Sequence, residues 1–259
     1  MITFAAICPH PPIIVPKIGH DEINRCQPTV SAMQKLSQIF AAARPDEIWL
    51  VSPHAEWRPD TFGINSAPIL SGSFLQFGFT NYHFRARNAQ SSIPDRLSPL
   101  PLTPFNQPEL DHGALVPLYY LSQARTIESL IEFSFCGLSL LEHQRFGVWL
   151  AQIAQQSKKK VAFIASGDLS HRLTNAAPAG FSPLGAEFDR QVVERARAND
   201  LASLAQLDEQ LIESAGECGL RSFCILSGVL DKIPHRAEIF SYEGPFGVGY
   251  LVANFKING

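Results

Sequence analysis

Paired cysteines, long apolar runs and clustered basic residues are all scarce in this sequence. Its five cysteines are odd in number and include no Cys-x-x-Cys pair, which argues against a disulfide framework or a zinc knuckle and favours a reducing cytoplasm. No stretch approaches the roughly 18 uninterrupted apolar residues of a membrane span. The amino terminus lacks the basic segment that opens a signal peptide. We therefore expect a cytoplasmic protein that neither enters a membrane nor is secreted.

Charge is also sparse. Asp, Glu, Lys and Arg together make up 17% of the 259 residues, the net charge is −3, and the longest basic run is Lys158 to Lys160. A nucleic-acid-binding surface needs clustered positive charge, so no nucleic-acid partner is expected. Hydrophobic residues reach 46%, and this leaves room for a large apolar interface. We expect a homo-oligomer on that ground.

Apolar residues alternate between strand-like and helix-like spacing along the whole chain. Strand-like runs occupy residues 2–7, 47–51, 130–136, 160–165, 237–242 and 248–255. Helical spacing occupies residues 27–43, 141–156 and most of 183–230. No repeat, low-complexity tract or linker interrupts this alternation. The pattern predicts a single α/β domain over residues 1–259.

Three apolar strands each lead into a loop that soon reaches a histidine. Strands 4–8, 48–51 and 161–165 are followed by His10, His54 and His171. Sites in open α/β sheets form beyond the carboxyl ends of strands, so these imidazoles are expected at one edge. His10 and His54 directly follow proline, whose fixed φ makes the position of the next side chain reproducible. That stiffness suits a metal ligand.

A carboxylate would complete such a site, because two imidazoles and one carboxylate leave three positions open on Fe(II). Asp168, in Gly-Asp-Leu-Ser-His, and Glu217, between two glycines, are the candidates. Glu217 could equally cap a helix, and Asp168 could equally hold a histidine tautomer without touching the metal. Cys218, next to Glu217, could instead bind a softer ion such as zinc.

His112 stands apart from the strand-end histidines. It closes a long proline-rich segment, residues 86–113, just before an apolar helix. Reactive groups are often carried by loops that rest against a scaffold, so His112 is a further candidate. The remaining histidines are expected at the surface: His20, His83, His143 and His235.

Two serines adjoin the candidate histidines. Ser52 and Ser166 could suggest a Ser-His hydrolase, but no Gly-x-Ser-x-Gly elbow is present. A zinc hydrolase built on the same histidines stays an alternative.

Five short motifs occur in the order seen in a known family. They are Cys8–Pro16 (Cys-Pro-His-Pro-Pro-Ile-Ile-Val-Pro), Ser52–His54 (Ser-Pro-His), Asp111–Gly113 (Asp-His-Gly), Gly167–His171 (Gly-Asp-Leu-Ser-His) and Glu217–Gly219 (Glu-Cys-Gly). In this order the chain resembles the catalytic beta subunit of class III extradiol ring-cleavage dioxygenases, the LigB-like proteins. Protocatechuate 4,5-dioxygenase is the type member, and the Memo proteins are relatives.

The resemblance implies a mixed central sheet flanked by helices on both faces. It implies Fe(II) held by His10, His54 and Glu217, with His171 as acid/base catalyst and His112 as a second acid. Asp168 would lie beside His171. The substrates would be an aromatic diol and O2, and some relatives add a small partner subunit.

Memo relatives carry Cys-Gly where the dioxygenases place their carboxylate. Cys218 as third ligand would favour a Memo-like metal-binding accessory protein without ring cleavage. Glu217 would favour the oxygenase and is the ligand expected here, because a carboxylate suits Fe(II) dioxygen chemistry better than a thiolate does.

Overall fold

A computed structural model describes residues 1–93 and 98–258, and over these residues one mixed sheet of ten strands runs through the protein. The strands are β1 (Ile2–Cys8), β2 (Glu47–Ser52), β3 (Phe62–Asn65), β4 (Ile69–Phe74), β5 (Phe79–Asn88), β6 (Leu102–Phe105), β7 (Ser129–Ser134), β8 (Val161–Ser166), β9 (His235–Glu243) and β10 (Tyr250–Ile257). The α-helices are α1 (Pro16–Gly19), α2 (Gln27–Ala43), α3 (His112–Ala124), α4 (Leu140–Gln156), α5 (Pro183–Arg197), α6 (Glu209–Ala215) and α7 (Leu220–Leu230). The predicted fold class, a single α/β domain with a mixed sheet, is confirmed.

The centre of the sheet is parallel, with β7, β2, β8 and β1 side by side in that order. Strands β10 and β9 extend one side antiparallel, and β5 and β4 extend the other. In register, Cys8 lies beside Ser166, and Ala165 lies beside Val51. The carboxyl ends of β1, β8 and β2 are therefore level.

The central strands alternate their side chains between two cores. Trp49, Val51 and Phe163 belong to the core beneath α4, α5 and α7. Ile48 and Leu50 belong to the core beneath α2 and α3. Because successive strand residues point to opposite faces, continuous apolar runs are what a sheet covered on both faces requires. The expectation of helices on both faces is confirmed.

The proline-rich segment 86–113 is less of a loop than the sequence indicates. Strand β5 continues to Asn88, a 3-10 turn spans Gln90–Ser92, and β6 follows. Pro104 is tolerated inside β6 because β6 pairs only with β3 and needs no ladder hydrogen bond on its other side. The part of this segment at 94–97, with Pro94, lies outside the described residues.

Among the described helices, none combines the length and apolar character that crossing a bilayer demands.

Helices α4 and α7 pack through two glycines. A Cβ added at Gly147 would lie 1.9 Å from the carbonyl oxygen of Ile225, and one at Gly228 would lie 1.9 Å from that of Gln144. Real Cβ atoms do not approach a carbonyl so closely. Each glycine therefore lets the opposite backbone come near, and the distance between the two helices depends on both.

Replacing Gly147 by alanine is expected to lower the free energy of unfolding by about 1–3 kcal/mol, because the new methyl group overpacks the helix contact. Helix propensity alone predicts the opposite sign, a gain of about 1 kcal/mol. Urea unfolding followed by circular dichroism measures the difference. Gln155→Ala, an exposed change on the same helix, should leave stability within about 0.5 kcal/mol of the wild type. A Gly147→Ala protein as stable as the wild type would contradict this packing.

Candidate metal centre

The level ends of β1, β2 and β8 bring the strand-end histidines to one place. His10 follows β1, His54 follows β2, and His171 follows β8. His10 is buried, His54 is exposed and His171 is half-buried, so the group reaches from the interior to the surface. The loops place the side chains at the carboxyl edge, where α/β proteins bind ligands.

His10 and His54 face each other through their ring nitrogens. The Nε2 atoms lie 3.1 Å apart, and the ring planes are 84° from each other. Burial is the main cause that lowers the pKa of both imidazoles, and neighbouring histidines lower it further. Both rings are thus held neutral near pH 7, the state in which a histidine can bind a metal.

Cys218 supplies a third donor beside the two imidazoles. Its Sγ lies 3.7 Å from His10 Nε2, and the donor atoms of His10, His54 and Cys218 all lie within 4.8 Å of one another. Burial raises the pKa of the thiol, and the Asp168 and Glu217 carboxylates raise it further. The thiol is therefore protonated at neutral pH, and metal binding would have to release that proton.

Glu217 is directed elsewhere. Its Oε2 accepts a hydrogen bond of 2.6 Å from the backbone N–H of Leu220, the first residue of α7. Such a contact satisfies an orphan donor of the helix, and the negative charge suits the helix amino terminus. The Glu217 carboxylate belongs to neither group of candidate ligands in the described residues. The structure brings Cys218, and not Glu217, to His10 and His54.

Asp168 is a buried neighbour of His10. Its Oδ1 accepts from the backbone N–H of His10 at 3.1 Å, and its Oδ2 lies 3.7 Å from His10 Nε2. Burial raises the pKa of Asp168 to about 7. Asp168, His171 and Cys218 form a second group of possible ligands that shares Cys218 with the first. Asp168 thus contacts His10 and also lies near His171.

His171 and His112 complete the cluster. Nδ1 of His171 donates to the carbonyl oxygen of Leu169 at 3.0 Å, and the backbone of Gly216 also interacts with the ring. The His112 ring centroid lies 4.2 Å from that of His54 and 5.6 Å from that of His10. Burial is the largest effect on the pKa of His171 and of His112, and it lowers both. All four imidazoles are therefore neutral near pH 7 and close together.

The two donor spacings that involve His10 suit one divalent metal ion. Two nitrogens, each about 2.1 Å from an ion, lie about 3.1 Å apart when the angle between the bonds is about 95°. A thiolate sulfur at about 2.3 Å and a nitrogen at about 2.1 Å lie roughly 3.7 Å apart at about 115°. The observed spacings of 3.1 and 3.7 Å meet both conditions. Two imidazoles with a thiolate are typical donors for a transition metal.

One expected surface histidine is buried instead. His143 has no exposed area; its Nδ1 donates to Ser139 O, and its Nε2 accepts from Cys136 N. The surface prediction for His143 is wrong because a capping box at the start of α4 turns the ring inward, against Phe62. His20 and His83 are exposed, as predicted.

Two buried carboxyl groups lie behind the histidines and were missed from sequence. Asp111 caps α3 by accepting from Ala114 N, and it also accepts from Ser52 Oγ at 2.7 Å. Glu132 on β7 accepts from Asn65 Nδ2 at 2.7 Å. Burial raises the pKa of Glu132 to about 8, and the charge of Asp111 adds to the rise. For Glu132 the sequence offered a signal, because it is a charged residue inside an otherwise apolar strand.

Glu132 makes stability depend on pH. Between its ordinary value and about 8 it is protonated when folded and ionised when unfolded, so the free energy of unfolding should fall as pH rises, by up to about 1.4 kcal/mol per unit. Glu132→Gln carries no charge and should lose this part of the slope. Urea unfolding at pH 5.5 and 7.5 measures this slope. Between these pH values the free energy of unfolding should fall by about 2–3 kcal/mol more in the wild type than in Glu132→Gln. Parallel profiles would contradict the assignment.

The third donor can be tested by metal titration. Cys218→Ser should weaken Zn²⁺ binding at least about 10-fold and abolish the thiolate charge-transfer band of the Co²⁺ form. Glu217→Gln should bind as the wild type does, because the amide oxygen can still accept from Leu220 N. Thermal melting of both variants controls for folding. The reverse ranking of the two variants would place Glu217 in the centre.

Comparisons with known proteins match most of the chain to one protein family. Residues 4–253 match the family described as the catalytic LigB subunit of aromatic ring-opening dioxygenase. Protein CA_C1420 of Clostridium acetobutylicum is 31% identical over 264 residues, which cover 96% of this chain and 56% of that protein. This chain thus spans little more than half the length of that relative.

Two further proteins are more distant. The 3,4-dihydroxyphenylacetate 2,3-dioxygenase of Escherichia coli is 30% identical over 90 residues, which cover 34% of this chain and 33% of that enzyme. The crystal structure of uncharacterized protein JW3007 from Escherichia coli K12 aligns with a TM-score of 0.65 at 19% identity, over 97% of this chain and 99% of that one. That likeness concerns the fold alone. With a match that runs from residue 4 to residue 253, the chain belongs to the family of catalytic LigB subunits of aromatic ring-opening dioxygenases.

Proposed function

We propose that this protein is a non-haem Fe(II)-dependent extradiol dioxygenase that opens a catechol-type ring with O2. The observation that carries the proposal is the convergence of His10, His54, His112 and His171 at the ends of parallel strands, with the first two 3.1 Å apart. Family membership supports the reaction class. The dioxygenase relative acts on a dihydroxyphenyl compound by its name, and this supports the substrate class.

His10 and His54 would hold the metal together with Cys218, which stands in for the Glu217 that the sequence resemblance implies. When bound, Fe(II) would supply coordination for both diol oxygens and the electrons that activate O2. His54 is exposed, and substrate would therefore approach from its side. His10 is buried and would therefore lie on the interior side of the metal.

His171 would act as the base. Its Nδ1–H is engaged by the carbonyl oxygen of Leu169, so Nε2 is the nitrogen that would take a proton from a diol hydroxyl. Its lowered pKa keeps the ring neutral and ready to accept. The same carbonyl stabilises the imidazolium once Nε2 is protonated, because Nδ1–H then donates from a charged ring.

His112 would return a proton as the ring opens. Its ring lies beside His54, and Asp111 precedes it in the chain. The Asp111 carboxylate raises the pKa of His112 against the lowering caused by burial. Because the ring is neutral at rest, His112 would have to take up a proton before acting as the acid, and the negative charge of Asp111 would stabilise that protonated ring.

His171→Ala should lower kcat about 10²–10⁴-fold and leave metal affinity within about twofold of the wild type, since a general base is removed and no ligand of the first group is lost. Steady-state kinetics on a catechol panel that includes 3,4-dihydroxyphenylacetate, with metal analysis of each preparation, makes the measurement. His83→Ala, an exposed histidine on β5, is the matched control and should retain full activity. Undiminished turnover by a metal-loaded His171→Ala enzyme would remove His171 from the reaction.

A second candidate function follows from Cys218. A thiolate is a softer donor than the carboxylate of Fe(II) oxygenases, and it favours zinc or copper. The same centre would then serve a Memo-like metal-binding protein without ring cleavage, or a zinc hydrolase. The homo-oligomer and the small partner subunit stay predictions in either case.

Anaerobic purification followed by metal analysis and the catechol panel separates these functions. Bound iron with a yellow ring-fission product supports the dioxygenase. Tightly bound zinc or copper with no product after Fe(II) reconstitution overturns it and favours the alternatives.

A further inference from the structure

The two serines at the strand ends do not have the surroundings of nucleophiles. Ser52 and Ser166 are fully buried. The hydroxyl of Ser52 donates to Asp111 Oδ1 at 2.7 Å, and that of Ser166 donates to the carbonyl oxygen of Gly113 at 2.5 Å. Both hydroxyls thus donate to oxygen atoms and not to a histidine that could act as the general base of a serine nucleophile. Both serines nevertheless adjoin the histidine cluster, and this calls for another role.

Ser166 has a second contact, with His10. Its Oγ lies 3.0 Å from His10 Nδ1. The carbonyl oxygen of Gly113 can only accept, so it takes the one proton that the hydroxyl has. Towards His10 the hydroxyl oxygen can therefore only accept, and Nδ1 must carry the hydrogen.

The consequence falls on the other ring nitrogen. A neutral imidazole has one N–H, and if that hydrogen is on Nδ1, then Nε2 presents its lone pair to His54 and Cys218. The opposite tautomer would direct a hydrogen into the centre. His10 is only 2% exposed, so bulk water is not available to replace the serine.

We propose that Ser166 is a positioning residue that fixes His10 as the Nδ1–H tautomer and so prepares Nε2 to bind a metal. The inference rests on the metal centre proposed above and adds to it a residue that does not touch the ion. Hydrogen bonds of this kind to a ligating histidine typically change metal affinity 10–100-fold.

The same hydroxyl ties the centre to α3. Gly113 follows His112, and its carbonyl is held by Ser166. A Cβ at Gly113 would lie 2.5 Å from Ser52 Oγ and 3.1 Å from His54 Cδ2, so the start of α3 packs tightly against β2. One side chain on β8 therefore orients His10 and holds the segment that carries His112.

The test compares two serine-to-alanine variants by zinc titration and by NMR of the metal-free protein with 15N-labelled histidine. Ser166→Ala should weaken Zn²⁺ binding about 10–100-fold and move the hydrogen of His10 from Nδ1 towards Nε2. Ser134→Ala is the matched control: Ser134 ends β7, on the far side of β2 from β8, is buried, and its hydroxyl has no hydrogen-bond partner in the described structure. It should match the wild type in both measurements.

Three outcomes overturn the inference. The first is a wild-type protein in which His10 carries its hydrogen on Nε2, and this requires no variant to fold. The second is a folded Ser166→Ala protein with wild-type zinc affinity and an unchanged tautomer. The third is an equal loss in Ser134→Ala, which would indicate a general effect of strand-end serines.

The metal centre can fail separately. If the wild type binds no zinc, cobalt or iron, the proposed metal centre is refuted, while the NMR comparison still decides the role of Ser166 in fixing the tautomer.

Discussion

The register of three parallel strands is the constraint on which the site depends. Cys8, Ser166 and Ser52 end β1, β8 and β2 at the same level because backbone hydrogen bonds pair these strands residue by residue. Apolar side chains are buried on both faces of the sheet, so a slip of one residue would exchange the two cores. The hydrophobic effect thus maintains the register, and the register places His10 and His54 face to face.

Burial then sets the protonation of the site. It lowers the pKa of the imidazoles and raises that of Asp168 and of the Cys218 thiol, so each group is driven towards its neutral form. For an imidazole the neutral form is the one that binds a metal; for a thiol it is not. A metal ion in the cluster would therefore have to displace the proton of the Cys218 thiol, whereas His10 and His54 are already in the neutral form that binds a metal.

Family membership does not by itself identify the reaction of this protein. The LigB-type fold accounts for the sheet and for the loops that deliver the histidines. The candidate third donor lies on the short loop between α6 and α7, where Glu217 hydrogen-bonds to the start of α7 and Cys218 lies beside His10. A fold supports many reactions, and the identity of this one donor selects among them.

The sequence by itself determined six of the ten strands, the main helices and the loops that carry His10, His54 and His171, since apolar periodicity and proline-histidine pairs are local signals. It could not choose between Glu217 and Cys218, which are neighbours in the same motif. The tertiary structure turns Cys218 Sγ towards His10 and Glu217 towards α7, because the thiol contacts the backbone of Asp168 and the carboxylate accepts from Leu220 N. The contacts of Ser166 and of the buried His143 likewise became visible only in three dimensions, because their hydrogen bonds depend on packing that no local pattern encodes.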